Sequence, residues 1–276
     1  MALPKAKEDA LAARLAPLTL PSGKGWLGAV RSEALARLQA MGLPARRDEY
    51  WRYTDPTSLN TPETPVAARF NPGDEPPAFD GIERLKLVFV DGVFDAAQSD
   101  DLSLAGVQIE RLSQAGAADI HWAQGLYGVL EARGQSPVAR PFATLNTAFA
   151  EDGILIRVTG RAAKPVSLIY VHESETSDAT LHHCIKLEPG AALTLLENGP
   201  AAARFSKVIE VDVGDRAVFH HIRLQGRDHE RRAVTHLFAR VGAKAEMRSF
   251  TLTANGRLTR NEAVVELVGA QARAHL

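Results

Sequence analysis

Apolar and polar residues alternate along residues 185–276, and the pattern comes four times: a strand-like run, a glycine, usually an alanine, and a second run. The four glycines, Gly190, Gly214, Gly242 and Gly269, follow one another at steps of 24, 28 and 27 residues. A repeat in the twenties is typical of a chain that stacks one supersecondary unit on the next. The copies span residues 185–196, 209–222, 237–250 and 264–276.

The period of the alternation identifies the repeated unit as a pair of strands. In residues 209–213 apolar and acidic residues alternate strictly, which buries one face of a strand and exposes the other. Since no helical stretch lies between the runs, the sequence predicts a right-handed parallel β-helix whose four glycines form one column, one layer apart. An antiparallel jelly roll of the cupin type is the alternative, because turns such as Pro189-Gly190 also occur there.

The remainder of the chain divides by composition. Residues 1–80 are predicted to form a helical region followed by a proline-rich linker at 61–81, residues 81–150 a mixed connecting segment, and residues 151–276 the β-helix, incomplete at its C-terminal end. Within the middle segment we expect a strand at 85–90, a hairpin turn at Asp91-Gly92 and a short helix at 126–133. The first helical face comprises Trp26, Leu27, Val30, Ala34, Leu38 and Met41, and it ends at Gly42 and Pro44.

Composition narrows the class of protein. The 276 residues include 32 basic and 33 acidic side chains, so no net positive field favours nucleic acid, and residues 227–232 (RDHERR) are interpreted as a solvated loop. No signal peptide or apolar stretch of membrane-spanning length is found. A single cysteine cannot form a disulfide within the chain, which indicates a reducing compartment, and the predicted location is the cytoplasm.

Histidines and the cysteine form the most conspicuous chemical pattern, His182-His183-Cys184, joined by His220-His221 and His236. Neighbours in a strand point to opposite faces. Aligning the glycines places Cys184, Val208 and His236 in one column, with Cys184 and His236 two layers, about 9.6 Å, apart. We therefore interpret them as a partly buried thiol with surface histidines in preference to a metal site.

Other candidates for chemistry are weak. His220 and His275 share a column with Arg248 between them, which predicts a solvated polar ladder. Asp91, Asp95, Asp100 and Asp101 are interpreted as solvated loop acids. No phosphate-binding loop, dinucleotide motif, zinc-protease motif or nucleophile elbow is present. The sequence predicts no catalytic, cofactor-binding or metal-binding residues, and no enzyme.

Two stretches carry a resemblance to a known family: PARRDEYWRYTDPTSL at residues 44–59 and FATLNTAFAEDGILIRV at residues 142–158. Both resemble the SufB/SufD family of iron–sulfur cluster assembly proteins, and the first is most similar to its SufD members. From the residues alone, Trp51 and Tyr53 are predicted to be buried and to dock the N-terminal region onto the body of the protein. Residues 145–149 are predicted to form a short helical turn before the first strand.

The resemblance implies a scaffold subunit that acts with a SufB-type subunit and the SufC-type ATPase. It implies no stably bound cofactor in this chain alone, and an iron–sulfur cluster only transiently in the complex, since one cysteine cannot supply four thiolates. Family members continue beyond residue 276, so the last coil is expected to have an open end that favours self-association. The alternative is a metal-binding cupin-like or carbohydrate-active β-helix protein.

Overall fold

Strands of the C-terminal half pair in parallel with their equivalents one coil away. The computed structural model describes residues 3–21, 25–71, 73, 76–116, 118–226 and 228–276. Cys184 of one coil pairs with Glu210 of the next. The strand that contains Glu210 pairs in turn with the following coil, where Val208 lies beside His236. The strands of this half are β5 (Ile154–Val158), β6 (Val166–Val171), β7 (Asp178–Leu187), β8 (Ala192–Asn198), β9 (Arg204–Val213), β10 (Val218–Gly226), β11 (Arg232–Val241), β12 (Glu246–Ala254), β13 (Leu258–Leu267) and β14 (Arg273–His275).

Two sheets face each other across the apolar core. The first has the order β14-β12-β10-β8-β6-β1-β2 and the second β13-β11-β9-β7-β5-β4-β3, where β1 is Leu85–Val90, β2 Val93–Asp95, β3 Ser103–Leu104 and β4 Val107–Arg111. Successive strands of the coils alternate between the sheets, which makes a parallel β-solenoid of about four turns. The predicted β-helix is confirmed, and the antiparallel jelly roll is wrong because the equivalent strands pair in parallel.

Equivalent four-residue turns connect the second sheet to the first in each coil. The predicted column of four glycines is wrong at its first member, Gly190. Gly214, Gly242 and Gly269 open these turns, but in the first copy Glu188 has that place and Gly190 lies two residues later. The third residue of every turn is left-handed, and it is Gly190 in the first copy but Arg216, Lys244 and Gln271 in the others, so Gly190 was aligned with glycines that open their turns. The residue common to all copies is an alanine that packs into the core, at Ala191, Ala217, Ala245 and Ala272.

The N-terminal region contains the predicted helices. They are α1 (Lys5–Leu15), α2 (Trp26–Met41) and α3 (Thr57–Asn60), with a 3-10 turn at Glu49–Trp51. Trp26, Leu27, Ala34 and Leu38 of α2 are buried as predicted, and the helix ends at Gly42 with φ of 64°. Residues 1, 2 and 22–24 of this predicted region lie outside the described residues.

The middle of the chain confirms the predicted strand β1, which is followed by a hairpin through Asp91 and Gly92, both with positive φ as a type I′ turn requires. The helices here are α4 (Leu112–Ala115), α5 (Val129–Arg133) and α6 (Pro141–Phe149), with a 3-10 turn at Trp122–Gly125. Every residue of α6 is buried, because α2 packs on one side and β7, β9 and β11 on the other. Helix α6 contains the turn predicted at 145–149 and is longer.

Trp51 and Tyr53, the aromatic pair of the N-terminal region, differ in burial. Trp51 is 4% exposed and packs edge-on against Phe142, with ring centroids 5.4 Å apart, as predicted. Tyr53 is 91% exposed, so its predicted burial is wrong. Trp51 is the last residue of the 3-10 turn and faces the body, whereas Tyr53 follows in the turn after it and faces solvent.

Two loops lie closer to the solenoid than their composition suggests. In the proline-rich segment Ala67 is buried and its N–H donates to the carbonyl of Glu175 at 2.8 Å; residues 72, 74 and 75 lie outside the described residues. The predicted solvated loop at 227–232 is wrong for Asp228 and Arg231, which are buried. Asp228 is drawn in because its carboxylate binds His172 and the N–H of Phe70. Residue 227 is outside the described residues.

Candidate functional site: two buried polar clusters

The interior of the solenoid is apolar near the four-residue turns and polar toward the opposite edge. Alternation along β9 places Lys207 in the same inward row as Phe205, Ile209 and Val211. Equivalent inward positions on neighbouring strands hold other polar groups. We call this set the interior cluster: Tyr170, His183, Glu197, Lys207, His221 and Arg223, all buried.

Glu197 is the centre of the interior cluster. Its carboxylate accepts hydrogen bonds from Lys207 Nζ, from His221 Nε2 at 2.6 Å and from the Tyr170 hydroxyl at 2.9 Å. Burial by itself would raise the pKa of this carboxyl, but the charges and hydrogen bonds of Lys207 and His221 lower it well below its ordinary value. Glu197 is therefore ionised and holds the surrounding donors in place.

Lys207 and Arg223 are two cations beside that one carboxylate. Burial, with the charge of Arg223, lowers the pKa of Lys207 to about 7. Arg223 Nη1 donates to Thr235 Oγ1 at 2.8 Å. The two cations and Asn261 line a cavity of about 90 Å³ between the sheets. This part of the interior therefore presents hydrogen-bond donors to a cavity that is partly open to solvent, since Asn261 and Thr251 of its lining are exposed.

His183 connects the interior cluster to the backbone of the first coil. Its Nδ1 accepts a hydrogen bond from the N–H of Ile154 at 2.9 Å, and its Nε2 lies 3.1 Å from the Tyr170 hydroxyl. Burial, with the charge of Lys207, lowers the pKa of His183 to about 3. The ring is thus neutral and carries its proton on Nε2, which leaves the Tyr170 hydroxyl free to donate to Glu197.

A second cluster lies on the outer face of the second sheet, under the helices. We call it the outer cluster: His182, Cys184 and Glu210, all fully buried, with their ligand-type atoms within 4.8 Å of one another. His182 Nε2 donates to Glu210 Oε2 at 3.0 Å. Burial raises the pKa of the Cys184 thiol well above its ordinary value, and the nearby Glu210 adds to that effect. The thiol is therefore protonated and unreactive in this environment.

The prediction of surface histidines is wrong. His182, His183, His221 and His236 are all buried, because the helices cover the outer face and the opposite sheet covers the inner face. The predicted column of Cys184 with Val208 is also wrong. The strands pair at a step of 26 residues, so Cys184 lies beside Glu210 and His182 beside Val208.

Other predicted positions agree with the structure. His220, Arg248 and His275 do form a ladder along the first sheet, and Arg248 and His275 are exposed. The loop acids bind nearby backbone: Asp91 accepts from the N–H of Ser174, and Asp95 from that of Ala97. Asp100 likewise accepts from the N–H of Lys86, and Asp101 is exposed.

Sequence reasoning missed Glu197, Lys207 and Glu210. A signal was present for Lys207, because a charged residue in the apolar row of a strand must lie inside the core and needs a partner there. Glu210 lies in the outward row, where solvated acids are ordinary, and only the covering helices make it a buried group.

Among the residues that the structure describes, none of the helices has both the length and the apolar character that a membrane span requires.

Comparison with known proteins accounts for most of the chain. The family model described as "SufBD protein N-terminal region" matches residues 22–166, and "SUF system FeS cluster assembly, SufBD core domain" matches residues 170–276. This chain belongs to the SufB/SufD family. Membership of the SufB/SufD family associates it with iron–sulfur cluster assembly, and the family resemblance at residues 44–59 and 142–158 is confirmed.

Among the curated SufB/SufD proteins, the chain is similar to the iron–sulfur cluster assembly protein SufD of Escherichia coli (strain K12). The two are 26% identical over 205 residues, which cover 69% of this chain and 44% of that protein. The chain thus spans less than half the length of the SufD relative that it matches.

Proposed function

We propose that the chain is a scaffold subunit in iron–sulfur cluster assembly, acting with a SufB-type subunit and a SufC-type ATPase and without turnover of its own. The observation that carries the proposal is the match of both family models along residues 22–276 with only a short gap. The composition supports a cytoplasmic location, because a single cysteine fits a reducing compartment. The division at residues 80 and 150 stays a prediction.

The state of Cys184 supports a scaffold role. The chain's single thiol is fully buried and burial raises its pKa, so it is neither an accessible cluster ligand nor an available nucleophile. A cluster with four ligands therefore needs donors from a partner, and we propose that any cluster is bound only transiently, in the complex.

An uncovered sheet face supports association with a partner. On the outer face of the first sheet Phe250 is 58% exposed and Leu252 is 53% exposed, two residues apart on β12. The second sheet has its outer face covered by helices, whereas these apolar side chains of the first sheet meet solvent. Large exposed apolar groups on adjacent positions are typical of surfaces that bind another protein.

The test is reconstitution with the SufB-type and SufC-type subunits of the same organism. The chain should co-purify with them, and its addition should raise the yield of cluster formed from iron, a sulfur donor and ATP. The charged variant Phe250→Asp should weaken co-purification, whereas Tyr53→Asp, at a still more exposed aromatic on the N-terminal region, serves as the control. Absence of any complex, together with an unchanged cluster yield, would contradict the proposal.

A further inference from the structure

The outer cluster arises from strand alternation and pairing register. His182 and Cys184 are two residues apart on β7, so both point outward, and Glu210 of β9 lies directly beside Cys184. One imidazole, one thiol and one carboxylate therefore converge, with ligand-type atoms within 4.8 Å of one another. These three side-chain types are those that bind zinc-like ions in proteins.

The surroundings of the outer cluster are apolar and closed. Tyr127 covers His182 with ring centroids 4.0 Å apart, and Leu130, Leu155 and Phe238 belong to the same buried apolar group as Cys184. Other buried histidines are separate: His183 points into the interior, and His236 lies beside Glu262, a coil further along. The three side chains of the outer cluster are thus separate from the other buried histidines.

Backbone groups hold the carboxylate of the cluster in place. Glu210 Oε1 accepts from the N–H of Glu131 at 2.7 Å, and Oε2 accepts from the N–H of Gly128. Donors of this kind orient ligating carboxylates in metal sites. His182 Nδ1 is buried and has no hydrogen-bond partner among the described residues, so protein groups leave the hydrogen-bonding capacity of this imidazole unmet.

We propose that His182, Cys184 and Glu210 bind one divalent transition-metal ion, with Zn²⁺ as the preferred ion. A thiolate with an imidazole selects a zinc-class ion over Mg²⁺ or Ca²⁺, which take oxygen ligands. On binding, the thiol releases its proton to solvent, and the two charges of the ion balance the thiolate and the Glu210 carboxylate.

The geometry requires only a small closure. Zinc with bonds of about 2.0 to 2.3 Å in tetrahedral arrangement holds its ligand atoms about 3.4 to 3.7 Å apart. The ligand atoms lie within 4.8 Å of one another, so side-chain rotations that move each atom by about 1 Å bring them to that spacing. Because the cluster is closed, we expect the ion to enter during folding or through transient opening beneath α5.

Cobalt substitution is the decisive experiment. The whole chain is unfolded, refolded anaerobically with Co²⁺ or Zn²⁺, desalted, and examined by elemental analysis and absorption spectroscopy. We expect stoichiometric retained metal and a thiolate-to-cobalt charge-transfer band, which can come only from Cys184 because the chain has one cysteine. Cys184→Ser should abolish the band, and Glu210→Gln should weaken metal binding by at least about tenfold.

The matched control is His236→Asn, another buried histidine on the same face, which should retain both the metal and the band. A refolded wild-type chain with native circular dichroism but no band would overturn the proposal, as would full metal retention by Cys184→Ser. If that variant fails to fold, the wild-type spectrum still decides. No cluster-assembly assay enters the test, so its failure is distinguishable from failure of the proposed function.

Discussion

Acid should destabilise the protein through His183, because the folded state requires this ring to be neutral. Its Nδ1 accepts a hydrogen bond from the N–H of Ile154. Protonation of Nδ1 would place a second N–H against the N–H of Ile154. Burial lowers the pKa of His183 to about 3, whereas an unfolded chain has the ordinary value of about 6.5. The unfolded state therefore binds more protons below the ordinary value, and stability falls as the pH falls from about 6.5 toward 3.

The size of the effect follows from the two pKa values. Between pH 7 and pH 5, a group with a folded pKa of about 3 and an unfolded pKa of about 6.5 removes about 2 kcal/mol from the free energy of unfolding. His183→Asn should abolish this contribution, since the amide oxygen of asparagine can accept from the N–H of Ile154 and does not titrate. The pH dependence of the variant should thus be shallower than that of the wild type by about 2 kcal/mol over this range.

Equilibrium urea denaturation of both proteins at pH 7 and pH 5 measures the difference. Ile209→Val is the matched control, because Ile209 lies beside His183 on the next coil and the substitution costs about 0.5 to 1.5 kcal/mol without removing a titrating group. The control should keep the wild-type pH dependence. Equal pH dependence in His183→Asn and the wild type would show that the ring carries no such perturbed pKa.

Further substitutions test the packing and the polar interior. Trp51→Ala should cost about 3 to 5 kcal/mol of stability in urea denaturation, because a buried aromatic is lost. Glu197→Gln should cost a similar amount, about 3 to 5 kcal/mol, since the buried cations Lys207 and Arg223 then lose the carboxylate between them; adding Lys207→Met should recover part of the loss. Gly153→Ala should abolish folding or lower the melting temperature sharply, because its Cβ would lie 1.8 Å from the carbonyl oxygen of His182, whereas Gly160→Ala meets nothing within 4 Å and should melt as the wild type does.

Each of these predictions has an outcome that contradicts it. A melt unaffected by Trp51→Ala would mean that the tryptophan does not anchor the N-terminal region, and Tyr53→Ala, at an exposed site, shows the small change expected of a surface substitution. A double substitution at Glu197 and Lys207 that is no better than the single one would show that the ion pair is not the source of the loss. Equal melting temperatures for Gly153→Ala and Gly160→Ala would show that the backbone of His182 can move away from position 153 at little cost.

The sequence was sufficient to predict the solenoid because strand alternation and turn spacing are local properties. The coil length and the helical face of α2 were recovered for the same reason. Register was harder: Gly190 resembles the other turn glycines but occupies a different turn position, and that shift moved Cys184 from Glu210 to Val208 in the predicted alignment. A register error of two residues keeps every side chain on its correct face, so the fold was unaffected and only the contacts were wrong.

The candidate site was largely unpredictable from the sequence, and the reason is burial by distant segments. His182 and Glu210 look like outward-facing polar residues until α5 and α6 cover the sheet. Glu197 and Lys207 are ten residues apart, and their contact depends on opposite sheets facing each other across the core. Alternation assigns a residue to a face, but which face is solvated is decided by what packs on it.

Helix α6 has a consequence for how the protein unfolds. A bare solenoid behaves as a row of coils that each contact only their neighbours, so its ends can fray independently of its middle. Here one fully buried helix contacts β7, β9 and β11, which belong to successive coils. Loss of any of these strands exposes the helix and weakens the others, and we therefore expect these coils to open together, as one cooperative unit, in hydrogen exchange.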